Sequence, residues 1–243
     1  MDAMPTLLLQ VPEDLRFLLP RARRSGTVRL EAASTDTVGH VVQAAGIPLT
    51  EVGALLLDDD PVPTTATAVE GILTVRPVVR PQSTPTVPPR FLLDVHLGGL
   101  ARRVRLLGLD AAYFPEAADA ELVSQARAEQ RVLLTQDRGL LRRRALPAGA
   151  LVRGPDTAAQ LDDVLDRFAP DLQPWVRCTR CGAHLEPASV EQAAPSLEPG
   201  TRRTYTEFAR CTACGQIYWR GAHARRLERI VEHAEETVRR ARQ

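Results

Sequence analysis

Two sets of residues in this chain have the types and spacing to do chemistry. The first is its four cysteines, in "RCTRCGAHL" and "RCTACGQIYW", which read C-x2-C-x29-C-x2-C. Two short knuckles of this kind suit one tetrahedral Zn²⁺ bound by Cys178, Cys181, Cys211 and Cys214. A closed shell of four thiolates leaves no position for water, so such a zinc holds structure and supplies folding free energy to a small segment. The stretch "HLE" at 184–186, followed by "CTAC", imitates a zinc deaminase pattern. Arg210 before Cys211, Pro187 beside Glu186 and two idle cysteines count against it.

The second set is acidic. In "FLLDVHLGGLARRVRLLGLD", residues 91–110, an apolar strand ends on Asp94, and Leu97, Leu100, Ala101, Val104 and Leu107 then share one helical face, with Arg102, Arg103 and Arg105 off it. The pattern returns in "RVLLTQDRGLLRRRAL", where a strand ends near Asp137. Between them "EAADAELVSQARAEQ" predicts a helix opening with Asp119 and Glu121, and "ALVRG" leads through Asp156 into "TAAQLDDVLDRFA". This βαβαβα order predicts a parallel sheet, whose carboxyl edge would gather Asp94, Asp137 and one of Asp119 or Glu121. Each acid alone has a simpler explanation as a helix cap, Asp119 and Asp137 above all. Crowded carboxylates repel unless a cation joins them, and oxygen ligands select Mg²⁺ or Mn²⁺. An ion so held can activate water for in-line attack on a phosphodiester.

The elements that position these residues fall into parts. "VRPQSTPTVPPR", 79–90, has the prolines of an extended linker, and a weaker boundary lies at "APDLQPW". The expected division is an N-terminal domain over 1–80, a linker over 81–90, an α/β domain over 91–172 and a cysteine segment with a closing helix over 173–243. In the first part "TLLLQV", "TVRLEA", "GALLLDD" and "ILTVRPV" are strand-like around the helix-like "TVGHVVQAAGI", which suggests an α+β ubiquitin-like (β-grasp) roll acting as an interaction module. Asp58, Asp59 and Asp60 read as a hairpin turn. The last helix should carry a stripe of Leu227, Ile230, Val231, Ala234 and Val238, with Glu235–Arg239 and Glu236–Arg240 pairs.

All 31 basic residues are Arg and the net charge is +1. Without Lys there is no Schiff-base lysine and no P-loop. Residues 173–243 hold 12 Arg against 8 acids, the one basic third. "MDAMPTLLLQVPEDL" lacks a signal peptide's features, and no apolar run is long enough to cross a bilayer, so a cytoplasmic protein with reduced thiols and no membrane partner is expected.

"FLLDVHLGGLARRVRLLGLD…DAELVSQARAEQRVLLTQDRGLLRR" closely resembles the PIN-type RNase domain at the C-terminus of the Mut-seven exonuclease, and "CTACGQIYWRGAH" resembles the second knuckle of the zinc ribbon that follows it in that family. The resemblance implies a metal-dependent ribonuclease with acids at the ends of a parallel sheet. Asp94 matches the first-strand acid and Asp137 the acid of "LLTRD", with Gln136 in place of the usual Arg. Asp119, or else Glu121, would be the intervening acid, and Asp156 is a candidate fourth. The β-grasp segment also resembles sulfur carriers, but its last strand runs into "RPVVRPQ" and not a Gly-Gly tail. The Arg clusters 102–105, with Arg102, and 142–144, together with Arg138, are candidate contacts to single-stranded RNA, as are Tyr218, Trp219 and His223. For Trp219 a place in the ribbon's small core is the competing reading, and for His96 a structural role. The alternative to a nuclease is a non-catalytic RNA-binding adaptor whose acids only cap helices.

Overall fold

The structure, a computed structural model, describes residues 5–221 and 224–243. In chain order the strands are β1 Thr6–Gln10, β2 Thr27–Glu31, β3 Val52–Leu57, β4 Asp60–Val62, β5 Gly71–Pro77, β6 Arg90–Leu93, β7 Asp110–Tyr113, β8 Val132–Thr135, β9 Gly149–Leu151, β10 Leu185–Ala188, β11 Phe208–Cys211 and β12 Ile217–Trp219. The helices are α1 Glu13–Arg16, α2 Val38–Ala44, α3 Gly98–Leu106, α4 Asp119–Ala128, α5 Arg138–Leu141, α6 Thr157–Phe168, α7 Val190–Ala193, α8 Pro199–Thr204 and α9 Ala224–Ala241. Two compact units emerge: Met1–Val79 with Asp137–Leu151, and Arg80–Gln136 with Val152–Gln243.

In the first unit a mixed sheet runs β2-β1-β5-β3-β4, with β1 and β5 parallel at its centre. Alternation does the sorting: Leu7, Leu9, Val28, Leu55, Leu73 and Val75 are buried, as are Val38, Val41 and Val42 of α2. Thr37 caps α2 by accepting the His40 N–H at 3.2 Å. Asp58 and Asp59 form the β3–β4 hairpin turn, and Asp60 opens β4 opposite Leu57. Asp58 and Asp59 have positive φ, and Asp58 accepts the Ile72 N–H at 2.8 Å.

The second unit is built on β6, which pairs in parallel with β7 on one side and β8 on the other. Its Phe91, Leu92 and Leu93 are fully buried, which explains their unbroken apolar run. Strand β7 was not legible in the sequence: "DAAY" has no β-branched residue, and its pairing with β6 places it. The expected apolar face of α3 is buried, but Arg105 is buried with it at 3% exposure. Although it lies off the apolar stripe, its guanidinium turns inward to the carbonyls of Ala111 at 2.8 Å and Arg180 at 2.7 Å. The proline-rich 79–90 stretch is irregular before β6, as expected, but residues from Arg80 on are anchored to α6. Arg80 pairs with Asp163 and Asp166 at 3.0 and 2.6 Å, and Gln82 accepts from Arg167 at 2.6 Å. Helix α9 buries Val231, Ala234, Thr237 and Val238. Glu236 pairs with both Arg239 and Arg240.

At the amino edge of the parallel sheet two arginines meet two acids. Buried Arg131 meets Asp110 and Glu129, each at 2.6 Å, and Arg90 spans the same two acids. Burial alone would raise the Asp110 pKa, but the Arg131 hydrogen bond and charge hold it below 3.8. The same guanidinium holds Glu129 below 4.5. Arg131→Ala is expected to cost about 2 kcal/mol in urea unfolding, less than a fully buried pair because Asp110 is half-exposed. Depressed folded-state values mean that this stabilisation is fully present above pH 4.5 and lost as pH falls through them, so the wild-type advantage should shrink on acidification below that value.

Candidate active site and candidate metal centre

Asp94 stands where β6 ends. Its backbone N–H still donates to the Leu134 carbonyl across the sheet, while its side chain caps the 3₁₀ turn Val95–Leu97. The carboxylate is 6% exposed; it accepts the Val95 N–H at 2.6 Å and the Thr135 hydroxyl at 2.5 Å. Tyr113 steadies the turn by donating to the Val95 carbonyl at 2.8 Å. Both side-chain partners of Asp94 are neutral, and among the described residues no guanidinium is within ion-pair distance. The contrast with Asp110, at the other end of the same sheet, is direct. Asp110 is clamped by two arginines, whereas buried Asp94 meets only neutral groups among the described residues.

Thr135 was missed by sequence reasoning. The signal was the register: Leu93 pairs with Leu134, so the next residues along, Asp94 and Thr135, lie level on neighbouring strands. Gln136, the departure from "LLTRD", donates its amide to the carbonyls of Val152 at 3.4 Å and Gly154 at 3.2 Å. Asp137 is exposed and caps α5, accepting the Gly139 N–H at 2.6 Å.

Asp119 is not the N-cap expected of it. The helix α4 begins at Asp119 itself, Ala118 is the capping position, and the Glu121 carboxylate accepts the Ala118 N–H at 2.9 Å. Asp156 caps α6 through the Ala158 and Ala159 N–H groups, and these bonds, Ala159 first, lower its pKa. Among the described residues the acids do not gather into a metal-ligand cluster, whereas the four cysteine sulfurs all lie within 4.8 Å of one another. His96 and Arg102 are exposed. Arg138 donates to the Leu18 carbonyl at 3.2 Å and lies over the Phe17 ring at 5.5 Å.

The cysteines are built by the short sheet β10-β11-β12. Each knuckle closes on a glycine with positive φ, Gly182 at 86° and Gly215 at 70°, a conformation that costs glycine little. The Gly182 and Gly215 N–H groups donate to the carbonyls of Cys178 and Cys211. The sulfurs approach to 3.7 Å for Cys178–Cys214 and 3.4 Å for Cys181–Cys211. Zinc–sulfur bonds of about 2.3 Å imply sulfur spacings of about 3.8 Å in a tetrahedron, so this donor set fits Zn²⁺. With no histidine in the cluster, the deaminase reading falls. Burial pushes the Cys178 thiol up, yet the Tyr218 hydroxyl and nearby backbone N–H groups bring it to about 6, while burial sends Cys181 to about 12. A cation is what would let four thiolates coexist.

The 29-residue spacer is structured. Helices α7 and α8 frame a small core of Ala193, Leu197, Phe208 and Ile217. Arg105 and Arg177 fasten the first knuckle to the parallel-sheet domain, Arg177 through the carbonyls of Gly108 and Gly182 at 3.1 and 2.9 Å. Ile217, and not Trp219, fills the ribbon core: Trp219 is the last residue of β12 and is 41% exposed. The Tyr218 hydroxyl is engaged with Cys178 at 3.1 Å and Thr179 at 3.3 Å. His223 lies outside the described residues. Among the described residues no helix is long and apolar enough to cross a membrane.

Comparison with known proteins bears on both units. Residues 4–83 match the family model Mut7-C ubiquitin, and residues 89–231 match Mut7-C RNAse domain. No curated protein matches the chain. The second match spans more than half of the 243 residues, and the order of the two is that of a ubiquitin-like domain followed by an RNase domain. This chain belongs to the Mut7-C RNAse domain family.

Proposed function

We propose that this protein is a metal-dependent ribonuclease of the PIN type that hydrolyses phosphodiester bonds of single-stranded RNA. The observation that carries the reading is Asp94, a buried carboxylate with no cationic partner among the described residues, at the carboxyl end of β6 and inside the region matched to an RNase domain. Asp94 and Asp137 would hold Mg²⁺ or Mn²⁺, with Asp119 or Glu121 as the further acid. Mg²⁺ is commonly held by one or two carboxylates and completed by water, which suits acids that do not form a tight cluster. Such an ion supplies an activated water and charge stabilisation at phosphate. The chain's own part is to orient: Thr135 and the Val95 N–H fix the Asp94 carboxylate, and Tyr113 fixes the turn that carries it. The Cys₄ ribbon would hold structural Zn²⁺, with Trp219 offering a ring to bases. Reduced thiols suit the cytoplasm. The four-part division at 80, 90 and 172 is part of the same proposal, with the ubiquitin-like domain meeting a protein partner.

The test is cleavage of end-labelled single-stranded RNA with Mn²⁺ and after dialysis into divalent-free buffer. A strong chelator is avoided because it would also strip the cysteines. Cleavage only with the ion supports the proposal; equal cleavage in both buffers rejects it. A non-catalytic adaptor is favoured by one observation, that Asp94, Glu121, Asp137 and Asp156 each accept a backbone N–H at a turn or helix start. It predicts salt-sensitive RNA binding that is indifferent to Mn²⁺.

A further inference from the structure

Residues far apart in sequence meet beside α5. Helix α1 ends in a turn whose successive carbonyls, Phe17, Leu18 and Leu19, are taken by two guanidiniums. Arg24 bonds Leu19 at 3.2 Å and Phe17 at 3.3 Å, and Arg138 bonds Leu18 at 3.2 Å while covering the Phe17 ring. This clamp joins two arginine runs of the first unit, "RARR" at 21–24 and "RRR" at 142–144, which together hold six Arg and no acid. The first run begins three residues after Leu18, and the second follows Arg138 by one helical turn. Arg21, Arg23, Arg142 and Arg144 are exposed, and among the described residues none is ion-paired to a carboxylate.

Like charges gathered this closely repel, and an anion relieves them. The ordinary explanation is a solvated surface in a chain whose only basic residue is Arg. It accounts for each residue alone, but not for two acid-free runs brought together by a shared clamp. The kind of anion follows from what the patch lacks. The aromatic ring at the clamp, Phe17, is covered by Arg138, and the exposed large apolar side chains among the described residues, including Val69, Ile72 and Trp219, lie outside both runs. Protein interfaces centre on apolar contact, whereas a nucleic-acid backbone is held by charge alone.

We propose that the ubiquitin-like domain is itself part of the RNA-binding surface, with Arg21 and Arg23 joining Arg142 and Arg144 to hold the phosphodiester backbone of single-stranded RNA. Arg24 and Arg138 are positioning residues that fix the two runs. The inference rests on the ribonuclease reading for its ligand, and it gives the first domain a role beyond protein contact.

The test is fluorescence anisotropy of a labelled oligouridine with the full chain, in divalent-free buffer across a KCl series. Arg21→Gln with Arg23→Gln should lower the slope of log affinity against log salt by about 1.4, from about 0.7 per single-strand contact. Affinity near 0.1 M KCl should fall roughly 20-fold. Arg142→Gln with Arg144→Gln should do the same. Arg29→Gln with Arg76→Gln, exposed arginines elsewhere in the unit, should change the slope little. Any of three results would overturn the proposal: a wild-type slope for the Arg21/Arg23 variant, an equal loss in the Arg29/Arg76 control, or capture of oligoglutamate in place of RNA. Lowered slopes without Asp94-dependent cleavage would sink the nuclease reading alone. Asp94-dependent cleavage with unchanged slopes would sink this inference alone.

Discussion

Asp94→Asn is expected to lower Mn²⁺-dependent RNA cleavage on the order of 1,000-fold while leaving the protein folded. The size follows from the several kcal/mol that a bound metal supplies to a phosphoryl transition state, at 1.36 kcal/mol per factor of ten. Folding should survive because the amide is nearly isosteric: its oxygen can accept the Val95 N–H, and its NH₂ can meet Thr135 with the hydroxyl turned to accept. The variant also removes a buried charge that has no cationic partner among the described residues, so its thermal midpoint in divalent-free buffer should equal or exceed that of the wild type. The wild type should gain stability from Mn²⁺ and the variant should not. A variant that cleaves normally and still gains stability from Mn²⁺ would show that Asp94 is only a turn cap. Thr135→Val should give a milder loss, since it frees the carboxylate without removing it.

Removing the Zn²⁺ that the four cysteines are proposed to hold should be the largest stability effect. The three short strands of the ribbon enclose a core of four buried residues, Ala193, Leu197, Phe208 and Ile217, far less apolar burial than an independent fold needs. Structural zinc in finger peptides contributes about 10–16 kcal/mol of apparent binding free energy, and that energy is folding energy. Cys178→Ser, or removal of zinc by a thiol-reactive mercurial, is therefore expected to open the segment from about Arg177 to Trp219 to proteolysis. Metal analysis should find one zinc per wild-type chain and none in the variant. Because Arg105 and Arg177 spend their donors on knuckle carbonyls, the parallel-sheet domain should also lose stability when the ribbon opens. A metal-free protein with four titratable thiols and a protease-resistant ribbon would refute the assignment.

Much of this molecule was written locally. The C-x2-C pairs with their glycines determined the cluster, because a knuckle is a local turn whose ligand geometry is set within five residues. Period-two alternation marked β1, β2 and β5, and the 3.6-residue spacing of Leu97, Leu100, Ala101, Val104 and Leu107 marked the buried face of α3. The apolar run before Asp94 placed an acid at a strand end. What the sequence could not decide was which charges would be neutralised. Arg131 and Asp110 are 21 residues apart and meet at one sheet edge, whereas Asp94 at the other edge meets Thr135 and the Val95 N–H. Arg105 and Arg102 look alike in sequence, yet one is buried against carbonyls of the ribbon and the other faces solvent. Likewise Arg138 reaches Leu18 over a separation of 120 residues and so brings two arginine runs together. Secondary structure is set by short-range periodicity and capping, and these are visible in the chain. The partner of a long, charged side chain is set by strand register and packing, which exist only once the chain has folded.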